Sequence, residues 1–406
     1  MKITKLMADN YKAFPTLEIE LEKMNLVIGK NGSGKSSILR LAPLIIESIR
    51  KEILDINPKG LSIGGSISDL LFRNDVFSEL SLGLEFVTDE KVYAFKTSVA
   101  YDRDERKINV VKFVFTDNEG EIELNKDYTT IGNHYINSQN EKTTVDFKGL
   151  LPDIKSLEDK NHVERLQVLS LLKNYFNSQY VNYLGPFRSR ASRVYPVVDT
   201  YDNDTGINGE NSPYIIYNHS NNPNFDFLEE INSWTKINME GAKINIRKEE
   251  YSFSIYIDKN KISSNIVDHG VGFSQILPLI TSRFTRKKFG IKGIEIVEQP
   301  ELHLHPSMCG SIVDLYTDIV KEDGNLCVLE THSKETILRL RRRIAESKDD
   351  LISSNVQLIY VDQDKDGSYI DYINILDDGS LSWWPQGVFE EAYEEIIAIE
   401  EINNAG

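Results

Sequence analysis

Residues 29 to 37 read Gly-Lys-Asn-Gly-Ser-Gly-Lys-Ser-Ser and fill every position of the phosphate-binding pattern G-x-x-x-x-G-K-[ST]. Each residue type has a physical reason. Gly29, Gly32 and Gly34 let the backbone curl, so that N–H groups along Lys30, Asn31 and Ser33 point inward at phosphate oxygens. Lys35 can reach β- and γ-phosphates, Ser36 can hold Mg²⁺, and Ser37 continues into a helix whose N-terminus favours anions. Such a site needs a carboxylate opposite the loop. Ile294-Glu295-Ile296-Val297-Glu298 is an apolar strand that delivers one, Glu298, as a second Mg²⁺ ligand. Leu326-Cys327-Val328-Leu329-Glu330-Thr331-His332 is a buried strand ending in a histidine placed to contact a γ-phosphate. Between Asp268 and Pro278, the small residues Gly270, Gly272 and Ser274 open a helix that also carries Gln275. Its N-terminus could hold a phosphate, or it is an ordinary helix with Ser274 as N-cap.

These residues require particular elements around them. Met24-Asn25-Leu26-Val27-Ile28 supplies a strand before the loop, and Ile38, Leu41, Ile45 and Ile49 recur at helical spacing after it. A strand, loop and helix in that register exclude a merely glycine-rich turn. Residues 3–28 read as three short strands, and residues 80–125 as an antiparallel meander closed by the turn Asp117-Asn118-Glu119-Gly120. Residues 153–178 read as helix. Residues 200–224, rich in Asn, Asp, Ser and Gly, read as a long surface loop. Residues 243–265 return to strands, after which strand and helix alternate. Asp362-x-Asp364-x-Asp366-Gly367 imitates a calcium loop, but Ile373 stands where the twelfth-position Glu is required. A hairpin turn between Leu358–Tyr360 and Tyr369–Ile373 is the expected reading.

The bulk properties set the class. The chain has 406 residues, is 40% hydrophobic and carries a formal charge of −17. That charge disfavours nucleic-acid binding by the whole surface. The clusters Arg188/Arg190/Arg193, Arg283/Arg286/Lys287/Lys288 and Arg339/Arg341/Arg342/Arg343 read as solvated faces, with local contact to nucleic acid left open. No apolar run reaches the roughly 18 residues of a membrane span. The N-terminus enters a strand pattern with no signal-peptide region, and Cys309 and Cys327 form no C-x-x-C pair, so a reducing cytosol is the expected location.

Taken in order, these segments resemble the ABC-type ATPases of the SMC/RecF/OLD group. By that resemblance Gly29–Ser37 is Walker A, Ile294–Glu298 is Walker B, Gly270–Gln275 stands at the signature loop, Leu304-His305-Pro306 at the D-loop and His332 at the switch histidine. The wording Val297-Glu298-Gln299-Pro300-Glu301-Leu302-His303-Leu304-His305-Pro306, followed by Glu330-Thr331-His332-Ser333, is similar to small OLD-like "AAA" ATPases of bacterial defence islands. Tyr183-Leu184-Gly185-Pro186-Phe187-Arg188 and the tail around Trp383–Glu390 resemble one subgroup, the tail a C-terminal domain of unknown function.

The resemblance implies a P-loop NTPase with an SMC-head-like mixed α/β sheet flanked by helices, an antiparallel β subdomain and a large helical and β insertion. It implies one split domain over 1–406: a lobe at 1–60, an insertion at 61–265, the signature, Walker B and switch segments at 266–350, and an extension at 351–406. ATP with Mg²⁺ would be sandwiched between two heads, with Gly272 and Ser274 reaching the γ-phosphate in trans. The chain would form a homodimer or higher oligomer and control a separate effector, a nuclease or toxin, in anti-phage defence. No nuclease segment is read between His332 and Gly406. The alternative is a RecF-like repair ATPase on DNA; a transporter ATPase fits less well, since Leu-Ser-Gly-Gly-Gln is missing.

Two departures follow. Relatives place a catalytic Glu where this chain has Gln299, and an amide cannot accept a proton. Either Glu301 or His332 compensates, or hydrolysis is slow. No glutamine precedes Gln139, so the Q-loop role falls to another segment such as Gly64–Ser68. The adenine site is expected by family position at Asn10–Phe14.

Overall fold

The computed structural model describes residues 1–103, 106–130, 132–157, 159–198, 203–220, 226–321, 323–346 and 351–389. At its centre is a six-stranded sheet. Its strands are Met24–Gly29 (β3), Tyr180–Leu184 (β12), Gly293–Glu298 (β17), Leu326–Glu330 (β18), Val356–Gln363 (β19) and Ser368–Ile373 (β20), in the order β12-β17-β18-β3-β19-β20. The first five run parallel, and β20 returns antiparallel along β19. Every residue of β3 and β17 is buried, as expected of parallel strands covered on both faces.

The second sheet is fully antiparallel. Lys2–Tyr11 (β1), Phe14–Glu20 (β2), Leu80–Thr88 (β4), Lys91–Asp102 (β5), Lys107–Asp117 (β6), Gly120–Lys126 (β7), His134–Asn137 (β8) and Lys142–Thr144 (β9) lie in the order β2-β1-β4-β5-β6-β7-β8-β9. A small hairpin, Phe147–Lys148 (β10) with Leu151–Pro152 (β11), follows it. A third sheet pairs Tyr195–Pro196 (β13), Lys243–Lys248 (β14), Ser252–Lys259 (β15) and Ile262–Asn265 (β16) around β15.

Seven α-helices are described: Lys35–Arg50 (α1), Lys160–Ser178 (α2), Ser212–Ser220 (α3), Phe227–Asn238 (α4), Val271–Phe289 (α5), Pro306–Tyr316 (α6) and Lys334–Ala345 (α7). The alternation of strand side chains divides the interior in two. Val27, Ile294, Ile296, Val328 and Ile359 face a core shared with α1, α2 and the antiparallel sheet. Leu26, Ile28, Val297, Leu329 and Leu358 face a core shared with α3 to α7.

The three N-terminal strands, the meander and the C-terminal hairpin stand where the pattern placed them; Asp364 N–H donates to the Gly367 carbonyl across the turn at 3.0 Å. Helix α2 begins later than residue 153, at Lys160, capped by the Asp159 carboxylate. The segment 200–224 contains α3 where a loop was expected. Its polar composition hides Ile215 and Ile216, which are fully buried, and residues 200–202 and 221–224 lie outside the described residues. The chain boundaries drawn from the motifs are also crossed. Strands β1 and β2 of the first lobe belong to the antiparallel sheet, β12 of the insertion edges the central sheet, and β19 of the extension pairs directly with β3. The tail resemblance ends at Glu390, outside the described residues.

Candidate nucleotide site

The loop between β3 and α1 is built as its residue types require. Gly29, Gly32 and Gly34 have φ of 149°, 80° and 104°. Two of them also permit close approach: a Cβ on Gly29 would lie 2.1 Å from the Val361 carbonyl oxygen, and one on Gly34 would lie 2.8 Å from the Phe14 ring. Lys30, Asn31 and Gly32 are exposed at the rim, while Ser33 and Lys35 are buried. Lys35 Nζ donates to the carbonyls of Gly29 (3.0 Å) and Lys30 (2.7 Å), so its charge sits in the crook of the loop. Burial lowers its pKa, and the nearby Glu330 carboxylate opposes the drop. No side chain caps α1, so the Lys35 and Ser36 N–H groups at its start are not taken up by a side-chain cap and an anion is favoured there.

Strand β18 lies between β3 and β17, with Glu298 and Glu330 in direct register. Both carboxylates are therefore carried to the same sheet edge. Ser36 Oγ donates to Glu330 Oε2 at 3.4 Å. Glu298 is held by the Tyr183 hydroxyl and by Arg40 Nη2 at 3.5 Å. Burial pushes the Glu298 carboxyl up to about 7; Arg40 opposes the rise and Glu330 adds to it. Glu330, Arg40 and Tyr183 had been given no role from sequence. Signals for them existed: the strand Leu326–Glu330 ends in an acid just as Ile294–Glu298 does, and Arg40 follows Ser36 by four residues, on the same helical face.

Gln299 and His332 also reach this edge. Gln299 has φ of 43°, and its N–H donates to the Glu330 carbonyl at 3.0 Å. His332 Nε2 stands 3.5 Å from Glu330 Oε1, on a partly exposed ring. Glu301 is engaged differently. Its Oε1 accepts from the His332 N–H (2.6 Å) and from the Thr331 hydroxyl (3.0 Å), which makes it a brace for the histidine. His305 caps α6, accepting from the Ser307 N–H.

The signature segment differs from expectation in two ways. Gly270 is the N-cap of α5, and Ser274 lies inside the first turn with its hydroxyl donating to the Val271 carbonyl at 2.7 Å. Gln275 turns inward, 6% exposed with Oε1 buried and unpartnered, so its side chain does not line the helix opening. The reason is helical phase: position 275 falls on the face packed against the core. Gly272 lies against His303 and Leu304 of the same chain. Among the described residues, no hydrogen bond or ion pair joins Gly270–Gln275 to Gly29–Ser37.

Tyr11 and Phe14 are fully buried, and Tyr11 donates to the Ser37 carbonyl. The Asn10–Phe14 turn thus supports the loop, and its rings are unavailable for stacking a base. The Gly64–Ser68 segment folds on its own acid, with the Gly65 and Ser66 N–H groups donating to Asp69. The basic clusters are mostly not solvated faces. Arg188 is buried, Arg283 pairs with Asp318, Arg286 with Glu295, and Arg339 and Arg343 with Asp314.

The family model for the AAA ATPase domain matches residues 1–184 and 200–337. The chain belongs to the AAA ATPase domain family. It is thus an ATP-binding ATPase by class, with a mixed α/β P-loop fold and an antiparallel sheet. Among curated proteins, none matches this AAA ATPase. Among solved structures it is similar to an Smc head bound to the C-winged helix domain of ScpA, at 12% identity over 92% of this chain and 98% of that chain, with a TM-score of 0.45. The SMC head domain from Thermotoga maritima matches at 14% identity over 92% of this chain and 100% of that chain, with a TM-score of 0.41. The Smc head domain of Pyrococcus furiosus, with an extended coiled coil and bound to the C-terminal domain of ScpA, matches at 12% identity over 98% and 99%, with a TM-score of 0.43.

Mg²⁺ usually accompanies such a nucleotide site, and the residues present fit it. Ser36 Oγ and the carboxylates of Glu298 and Glu330 are hard oxygen donors gathered beside the loop. Among the described residues, no group of three or more His, Cys, Asp or Glu converges on a metal. A Mg²⁺ ion there would be held by phosphate, water and one or two protein oxygens. No helix among the described residues is long and apolar enough to cross a membrane.

Proposed function

We propose that this ATPase binds ATP with Mg²⁺, turns it over slowly, and uses the bound nucleotide to clamp two copies together. The carrying observation is the site's composition: Lys35, Ser36, Glu298 and Glu330 converge at the loop, while the position after Glu298 holds an amide. Lys35 and the α1 N-terminus would bind the β- and γ-phosphates. Ser36, with Glu298 or Glu330, would hold Mg²⁺, which neutralises phosphate charge when bound. His332, beside Glu330, would contact the γ-phosphate. Gln299 can orient a water molecule but cannot take its proton.

In the clamp, Gly272 and Ser274 of one copy would meet the nucleotide of the other. Exposed Val267 and Val271 beside them are suited to contact with a second protein surface. The resemblance of the Val297–Pro306 wording supports a role as sensor or scaffold for a separate effector, a nuclease or toxin, in bacterial anti-phage defence. The pairing of most cations of the three basic clusters with acids lends the RecF-like alternative no support.

The test is nucleotide binding and phosphate release by the wild type and Lys35→Ala. Wild type should bind ATP and release phosphate slowly. The folded Lys35→Ala protein should lose binding, and near-normal affinity there would sink the assignment of the loop.

A further inference from the structure

We propose that residues Tyr183–Arg188 form a positioning clamp on the Glu298–Pro300 turn, with Tyr183 fixing the Glu298 side chain and Arg188 fixing the backbone that presents Gln299. The clamp deepens the ATPase reading and rests on it.

The turn needs holding. Gln299 precedes a proline, which disfavours helical backbone, yet it adopts φ of 43°. A residue in that region persists only where its surroundings over-determine it. Two groups do so here. The Gln299 N–H is tied to β18 through the Glu330 carbonyl at 3.0 Å. Arg188 supplies the other restraint. Its Nη2 donates to the carbonyls of Glu298 and Gln299, both at 3.0 Å, and its Nη1 to that of Pro300 at 3.4 Å.

Arg188 is only 5% exposed and forms no ion pair among the described residues, although the Glu301 charge helps to offset its burial. A buried guanidinium that directs its donors at three successive carbonyls is shaped for a turn. A lysine, with a single nitrogen, cannot span the three. On the other side of the turn, β12 runs parallel beside β17, with Tyr183 opposite Ile296. This brings the Tyr183 hydroxyl onto the Glu298 carboxylate, which Arg40 also touches. One stretch of six residues therefore grips the acid by its side chain and the following turn by its main chain.

The test uses the full chain with ATP and Mg²⁺. Steady-state phosphate release, affinity for a fluorescent ATP analogue and thermal melting are measured for wild type, Arg188→Lys, Tyr183→Phe and Ile280→Val. Loss of an outer positioning partner typically costs about 10- to 100-fold. Arg188→Lys and Tyr183→Phe should lose kcat on that scale, with nucleotide affinity within about twofold of wild type. Ile280→Val, a buried core change outside the clamp, should lower the melting temperature and leave kcat alone. Unchanged kcat in both clamp variants would overturn the proposal, as would affinity that falls in step with kcat. If Arg188→Lys does not fold, Tyr183→Phe decides alone, because it keeps the ring and removes only the hydroxyl. A wild type that binds ATP without releasing phosphate removes the ATPase reading and the clamp together. An active wild type with unaffected variants removes the clamp only.

Discussion

The proposal of slow turnover makes Gln299 the residue on which the rate would turn. Removing a positioned general base typically costs about 10²- to 10⁴-fold. Turnover should therefore lie well below a typical enzyme median of about 10 s⁻¹. Gln299→Glu should speed phosphate release and shorten the life of the ATP-bound assembly; a rate no higher than wild type would show that the amide is not what limits it. Glu301→Gln and His332→Ala should both lower the remaining activity. Because Glu301 accepts the His332 backbone N–H at 2.6 Å and so acts by placing the histidine, the double variant should cost less than the product of the singles. Full multiplicativity in steady-state assays would show the two side chains to be independent.

At the scale of elements, α5 carries the clearest energetic statement. Its C-terminal basic residues looked like a solvated face. Instead, Arg286 is 2% exposed and reaches across to β17, donating to Glu295 at 3.2 Å and to the Gly293 carbonyl at 3.0 Å. Ser282 of the same helix adds a bond to Glu295 at 2.8 Å. Removing one partner strands a buried charge on the strand that ends in Glu298. Arg286→Ala should cost about 3–5 kcal/mol, read as a lower urea midpoint. Lys288 is a useful contrast. It pairs with Asp226 and Glu230 nearer the surface, where the median worth of an ion pair is about 0–1 kcal/mol. Equal effects of Arg286→Ala and Lys288→Ala would refute the distinction.

For the whole molecule, the question is what ATP does to association. The α5 opening at Gly270 is exposed. Light scattering should show ATP with Mg²⁺ driving or tightening self-association in wild type, and Ser274→Arg should block it by placing a bulky charge at the shared surface. The same mass with and without nucleotide, in both proteins, would count against a site completed by a second copy.

The sequence by itself determined the loop, its strand and helix, the Glu298 strand, the His332 strand and the antiparallel meander. All of these are written in local terms: fixed spacing, period-2 alternation and small residues where the backbone must turn. It also carried the hairpin at Asp364–Gly367, since turn chemistry is local as well. Helix α3 escaped because two buried isoleucines are too few to show a period. The tertiary structure alone decided which side chains meet. It set Glu330 beside Ser36, placed Tyr183 and Arg188 on the Glu298 turn, buried Arg286 against Glu295 and turned Gln275 into the core. Those pairings join residues up to 294 positions apart, and they depend on strand order and helical phase. Neither is encoded in any one segment, because both follow from how the two faces of the central sheet are covered.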